Sequence, residues 1–342
     1  MLKRTLRVLT AAALVVTGST VLAAQPASAA TISNLNPYLG SVGGFVVDGV
    51  HQRLFTSNNS TGEIVVTDLI GTNVKRIDGL KDVAGLVLSA DSSLLYAAVG
   101  GADEIVAIDT SMLEQVAEYP LGDGVAPQTL VRAGDTLWFG YLVDPTTTDT
   151  AAGIGTLDLA GSDHAVTVLT QLAGLDVEHL PLLAVSPTDP DLLATVDTGA
   201  DPSVVRLYDF SSGTATLVAS HTATGLVNNL VFTSDGTRLI EDGGNQAAEE
   251  LSTTDLSRVQ EYPAGLLPIG LAVADDGTIA VGQAGDSSDV KLYRPGSSEP
   301  IKTLSLNKSG SGYNHASVHF LTFEPGSERV IALAYKYFVF TK

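Results

Sequence analysis

A leucine-centred strand recurs along the chain at Leu54, Leu95, Leu137, Leu193, Leu239, Ile279 and Val330, at spacings of 41, 42, 56, 46, 40 and 51 residues. The same parts surround each one: an apolar run, a turn of Asp, Gly or Ser, the recurring strand, a polar turn and a third strand. One unit reads Ala84-Gly85-Leu86-Val87-Leu88, a turn over 89–93, Leu94-Leu95-Tyr96-Ala97-Ala98-Val99, then Glu104-Ile105-Val106-Ala107-Ile108-Asp109 and a fourth strand over 115–119. The third strand closes on Asp68, Asp109, Asp158, Asp209 and Asp255, with Arg294 in the sixth place. Ile64-Val65-Val66-Thr67-Asp68 alternates at strand period, and nothing beyond the first 30 residues sustains a helical period.

A unit of this kind cannot bury both of its faces alone, so successive sheets must stack around an axis. Seven units of about 40–50 residues match the period of a β-propeller blade. The expected fold is all-β: a seven-bladed β-propeller with four-stranded antiparallel blades starting near residues 43, 83, 126, 180, 226, 267 and 315. The last unit stops one strand short, and residues 31–39 are expected to supply that outer strand, closing the ring and removing an open edge. The excess length between the third and fourth units is assigned to loops over 143–149 and 175–179.

Residues 1–29 carry the parts of a secretory signal. Lys3, Arg4 and Arg7 precede an apolar stretch over 8–24, interrupted by Thr10, Thr17, Gly18, Ser19 and Thr20, and Ala27-Ser28-Ala29 forms an Ala-x-Ala site. The stretch is shorter than the roughly 20 residues of a spanning helix. The expectation is cleavage after Ala29 or Ala30, a propeller over 30–342, secretion, and no membrane span in the mature chain. The chain has no Cys, and 18 Lys+Arg stand against 38 Asp+Glu. That excludes a disulfide scaffold, a thiol enzyme and a cysteine zinc site, and an acidic surface repels nucleic acid.

The segments over 89–98 and 105–109 resemble the repeat of the YVTN-type seven-bladed β-propeller, from which units four to seven drift. More narrowly, the segments over 62–69, 107–110 and 135–141 are similar to the propeller module of secreted actinobacterial proteins that carry Ig-like repeats. The resemblance spans about residues 31–341 and departs from that pattern in having no Ig-like repeat after the propeller. It implies the propeller fold, and propellers host unrelated activities.

Motifs for chemistry are missing: no Gly-x-Ser-x-Gly elbow, phosphate loop, His-Glu-x-x-His or calcium loop is present. Gly153-Ile154-Gly155 reads as a strand edge. His315 and His319, four apart on a strand, would stand about 13 Å apart, too far to share a metal. Residues that lead into innermost strands line a propeller's channel mouth, which makes Gln128, His179, Asn228, Asn229 and His315 the candidate binding residues for a polar ligand. No Asp or Glu stands among them, so a hard divalent ion would lack carboxylate ligands there, and neither a metal nor a cofactor is expected. Weak Ca²⁺ binding is the exception, in the carboxylate-bearing loops 197–201, 241–245 and 286–289. Trp138, Phe139 and Tyr141 read as core, Tyr335 to Phe338 as an exposed apolar strip, and Asn58, Asn59 and Asn307 as loop residues.

These observations point to a secreted, monomeric, non-catalytic binding or interaction module, with a protein or cell-wall partner, at the cell surface or in the medium. One alternative is a hydrolase or lyase of lactones or cyclic esters, with His315 or His179 as acid or base because His titrates near neutral pH. Another is a spacer that has lost its downstream Ig-like repeats.

Overall fold

The computed structural model describes residues 31–34, 41–143, 151–169, 172, 179–265, 267–284, 289–305, 318–327, 329–334 and 337–341. The signal segment, His315, Asn307, Tyr335, Lys336 and most of both long loops lie outside them. Strand β1 is Thr31–Asn34. The first blade holds β2 (Val42–Asp48), β3 (Arg53–Asn58), β4 (Glu63–Asp68) and β5 (Lys75–Ile77). The second holds β6 (Val83–Leu88), β7 (Leu94–Val99), β8 (Glu104–Asp109) and β9 (Glu114–Pro120). The third holds β10 (Ala126–Ala133), β11 (Thr136–Leu142), β12 (Ala152–Asp158) and β13 (Val166–Leu169). In the fourth are β14 (Pro181–Val185), β15 (Leu192–Asp197), β16 (Val204–Asp209) and β17 (Thr216–Thr222). The fifth comprises β18 (Leu230–Phe232), β19 (Arg238–Glu241), β20 (Ala247–Ser252) and β21 (Arg258–Pro263). The sixth comprises β22 (Pro268–Val273), β23 (Ile279–Gln283), β24 (Asp289–Tyr293) and β25 (Pro300–Ser305). The chain ends in β26 (Val318–Phe323), β27 (Val330–Ala334) and β28 (Tyr337–Thr341).

Six blades are thus runs of four consecutive strands, where the repeat leads one to expect seven. The remaining four-stranded sheet is shared by the two chain ends, in the order β1-β28-β27-β26. Its register sets Thr31 opposite Phe340 and Asn34 opposite Tyr337. The first strands contact one another in the cycle β2, β6, β10, β14, β18, β22, β26 and back to β2, so they surround a common axis. The architecture is an all-β propeller of four-stranded antiparallel blades.

Burial follows from the stacking. Second and third strands are covered on both faces, so β3, β7 and β8 are almost wholly buried, whereas the outer strand β9 is largely exposed. Alternation sends Phe139 and Tyr141 to the contact between the second and third blades, and Trp138 to the next contact with Tyr208 and Leu193. Gly153 and Gly155 are not a strand edge. They lie within β12, paired with Tyr141 and Phe139, and a Cβ on either would collide with those rings.

The recurring Asp has a local cause. As the last residue of β4, β8, β12 and β16 it turns its carboxylate back onto the following turn. Asp109 accepts from the Ser111 and Met112 amides, both at 2.8 Å, and Asp158 from the Ala160 amide at 2.9 Å. Asp255 departs from the pattern: β20 ends at Ser252, and Asp255 sits in the turn, accepting from the Ser257 amide. Hydrogen bonding holds several of these carboxyls below the usual range: from the Ser111 hydroxyl at Asp109, the Ser211 hydroxyl at Asp209 and the Ser257 hydroxyl at Asp255. In the first turn of the second blade, the Ser93 amide and the Ser89 and Ser93 hydroxyls lower Asp91 to about 2. A carboxyl depressed in the folded state contributes stability above its unfolded value, and that stability is lost as pH falls through the folded value. The urea midpoint should therefore drop as pH falls from about 4 toward 2, and Asp91→Asn should flatten that slope. An unchanged slope would remove these turns from the acid response.

Candidate functional site

In an up-and-down meander, the loops that lead into each first strand share one face of the ring with the loops between second and third strands. We call this the front face. The described candidate binding residues lie at that face, each held by its own surroundings. Gln128 is the extra residue in a bulge of β10, and its amide lies over Gly100, where no Cβ would fit. The half-exposed His179 ring rests on Gly199, with Nδ1 3.6 Å from Asp197 Oδ1. Asn228 is exposed, and Asn229 reaches across to the sixth blade, where its Nδ2 donates to the Ile269 carbonyl at 2.7 Å.

A carboxylate does stand among these residues, contrary to the expectation from the linear pattern. Asp242 is 2% exposed and accepts from the Asn228 amide at 2.7 Å, the Asn229 amide at 2.9 Å and Asn229 Nδ2 at 2.8 Å. Burial pushes its carboxyl up to about 6, against the opposing pull of those bonds. The Asn-Asn pair is therefore a lid on a buried acid that fixes the start of β18. The loop over 197–201 is likewise self-satisfied: Asp197 accepts from the Gly199 amide at 3.0 Å, and the Thr198 hydroxyl donates to the Leu180 carbonyl. Asn58 is not a loop residue but the buried end of β3, and its Nδ2 donates to Glu63 Oε1 at 3.3 Å.

At the opposite, back face the channel opens into a recess of about 540 Å³, with Val87, Arg132, Val185, Phe232 and Val273 contributed by five blades. That mouth is mainly apolar. Nearby, His51 lies beside buried Asp48, Nδ1 to Oδ2 at 2.6 Å, with the Thr110 hydroxyl 3.4 Å from the same nitrogen. A nucleophile and an orienting acid need opposite ring nitrogens. Here both partners face Nδ1, and Thr110 Oγ1 donates to the Ser92 carbonyl at 2.6 Å, so the group ties the first blade to the second. A cross-blade clamp of this kind leaves no trace in a linear repeat, although the Asp-x-x-His spacing at 48–51 is visible.

No family model and no curated protein matches the chain. Solved structures do match in shape. The Cps50 (Swd1) β-propeller domain of Myceliophteria thermophila is 12% identical over 92% of this chain and 100% of that one, with a TM-score of 0.67. A chain of a Mitotic Checkpoint Complex is 14% identical over 96% and 99%, with a TM-score of 0.70. A chain of Kuenenia stuttgartiensis hydrazine synthase is 13% identical over 89% and 96%, with a TM-score of 0.65. At such identity the likeness defines the class, a β-propeller, and the site has to be argued from its own residues. Among the described residues no helix is long and apolar enough to cross a membrane.

Proposed function

We propose that this chain is an exported, non-catalytic interaction module, a seven-bladed propeller of the YVTN type, which binds a protein partner across its front face. The observation that carries the reading is the make-up of that face. Val143, Leu226 and Leu267 stand 46%, 48% and 59% exposed in its loops, among the exposed carboxylates of Asp78, Asp82, Asp123 and Asp201. Exposed apolar side chains and carboxylates on one face of a rigid support suit a partner that offers both apolar and basic groups. One of the structurally similar chains is itself part of a multiprotein complex, the Mitotic Checkpoint Complex. Export rests on the signal-like segment at 1–29, and N-terminal sequencing of the chain from the culture medium should begin at Ala30 or Thr31.

The test is capture of partners from the medium and cell surface with the unmodified protein and with Leu226→Asp/Leu267→Asp. Removing two exposed apolar side chains of that face should weaken a retained partner by about 10-fold or more, and added salt should weaken it further. Equal retention by both proteins would overturn the front-face assignment.

A further inference from the structure

The contact between the fourth and fifth blades differs from the others at one place. In the other blades made of four consecutive strands one outer-strand residue faces the next blade: Ile77, opposite Ile64; Tyr119, opposite Ile105; Leu169, opposite Ile154; Tyr262, opposite Ala248; and Leu304, opposite Val290. In the fourth blade the corresponding residue, opposite Val205, is His221. It faces the paired middle strands of the fifth blade, where the matching register holds Glu241 opposite Glu249. Other blades hold Thr56/Val65, Ala97/Val106, Phe139/Gly155, Thr195/Arg206 and Val281/Lys291 there. No other described blade holds a carboxylate there, and two of these contacts are apolar clusters: Ile77 packs with Ala97 and Val106, and Tyr262 with Val281.

Here the ligand atoms of His221, Glu241 and Glu249 all lie within 4.8 Å of one another. Glu241 is 0% exposed; its Oε2 accepts from the Gly243 amide, while Oε1 is buried with no hydrogen-bond partner. His221 Nε2 is also buried without a hydrogen bond, 3.6 Å from Glu249 Oε2. Glu249 Oε1 is engaged by the Thr224 hydroxyl at 3.1 Å and Arg258 at 3.4 Å. The neighbouring Glu250, on the opposite face of β20, is balanced by Arg238 and the Tyr262 hydroxyl. Two carboxylates facing each other in a buried contact, with Glu241 Oε1 and His221 Nε2 left without a hydrogen bond beside them, favour a bound cation or a shared proton.

We propose that His221, Glu241 and Glu249 bind a divalent transition ion of the Zn²⁺ class that clasps the fourth blade to the fifth. One imidazole nitrogen and two carboxylate oxygens suit such an ion at bond lengths of about 2.0–2.2 Å, and water completes the tetrahedron. Ca²⁺ fits poorly, since it takes 6–8 oxygens. The His221 side chain is 20% exposed, which leaves a route for the ion.

The test uses the untagged full chain, stripped with EDTA and dialysed against Zn²⁺, with bound metal measured by mass spectrometry beside the melting temperature. The expected result is one Zn²⁺ per chain and a rise of about 3–6 °C at saturating ion. Glu241→Gln should lose both. The variant His221→Ile/Glu241→Thr/Glu249→Val writes in the residue types of Ile77, Thr56 and Val65 from the first blade; it should fold, bind no Zn²⁺ and show no shift. Zn²⁺ bound equally by these variants, or no Zn²⁺ bound by the unmodified chain, would overturn the proposal.

Discussion

Deleting residues 31–34 should lower the melting temperature by about 5–10 °C, whereas removing residues 1–30 and leaving β1 in place should leave the melt unchanged. The reason is the sheet shared by the chain ends. β1 pairs with β28 over four residues, and without it β28 becomes an open edge in a ring that otherwise ends each sheet on its own outer strand. At roughly 0.2–1 kcal/mol for each cross-strand pair, four pairs contribute about 1–4 kcal/mol, and each kcal/mol moves the midpoint of a chain this large by about 2–4 °C. The loss should be greater than these pairs alone suggest, because β28 fraying loosens β27, whose Ile331 and Leu333 pack against Val47 and Leu54 of the first blade. An unchanged melt after the deletion would mean that the ring holds without this pairing.

The second large effect concerns Phe139 and Gly155. Phe139 is 0% exposed and its ring lies over Gly155, its register partner on the next strand. Phe139→Ala should cost about 3–5 kcal/mol through lost burial and the cavity left behind. Gly155→Val should cost about 3 kcal/mol or more, because its side chain enters the space the ring fills. The double variant should cost less than the two single losses together, since valine then occupies the vacated space. Strict additivity in urea titrations would show that the two residues do not share that space.

Much of this fold was legible in the sequence because propeller stacking writes itself into local spacing. The recurring Leu, the alternation through Trp138 and Phe139, and the strand-ending Asp are each set by one strand and its next turn. The shared sheet was legible for the same reason: the last unit lacks a strand and the N-terminal segment offers one. What the sequence hides has the opposite cause. Gly153 and Gly155 look like punctuation until the rings of Tyr141 and Phe139 are seen above them. Asp242 looks in the sequence like part of an acidic turn, yet the backbone brings it under Asn228 and Asn229 through a hairpin. His51 with Asp48, and His221 with Glu241 and Glu249, are features of blade contacts. The signal that could have exposed the second group was present: aligned by strand register, His221 replaces Ile, Tyr or Leu, and Glu241 falls where other blades hold Thr, Ala, Phe or Val.

The most direct test of the functional reading is amide hydrogen exchange on the chain with and without the captured partner. Binding across the front face requires new protection in the loops at 122–125 and 223–229 and at residues 264, 265 and 267, with the back-face turns at 89–93, 186–191 and 233–237 unchanged. Protection confined to the back-face turns or to the outer strands would contradict it.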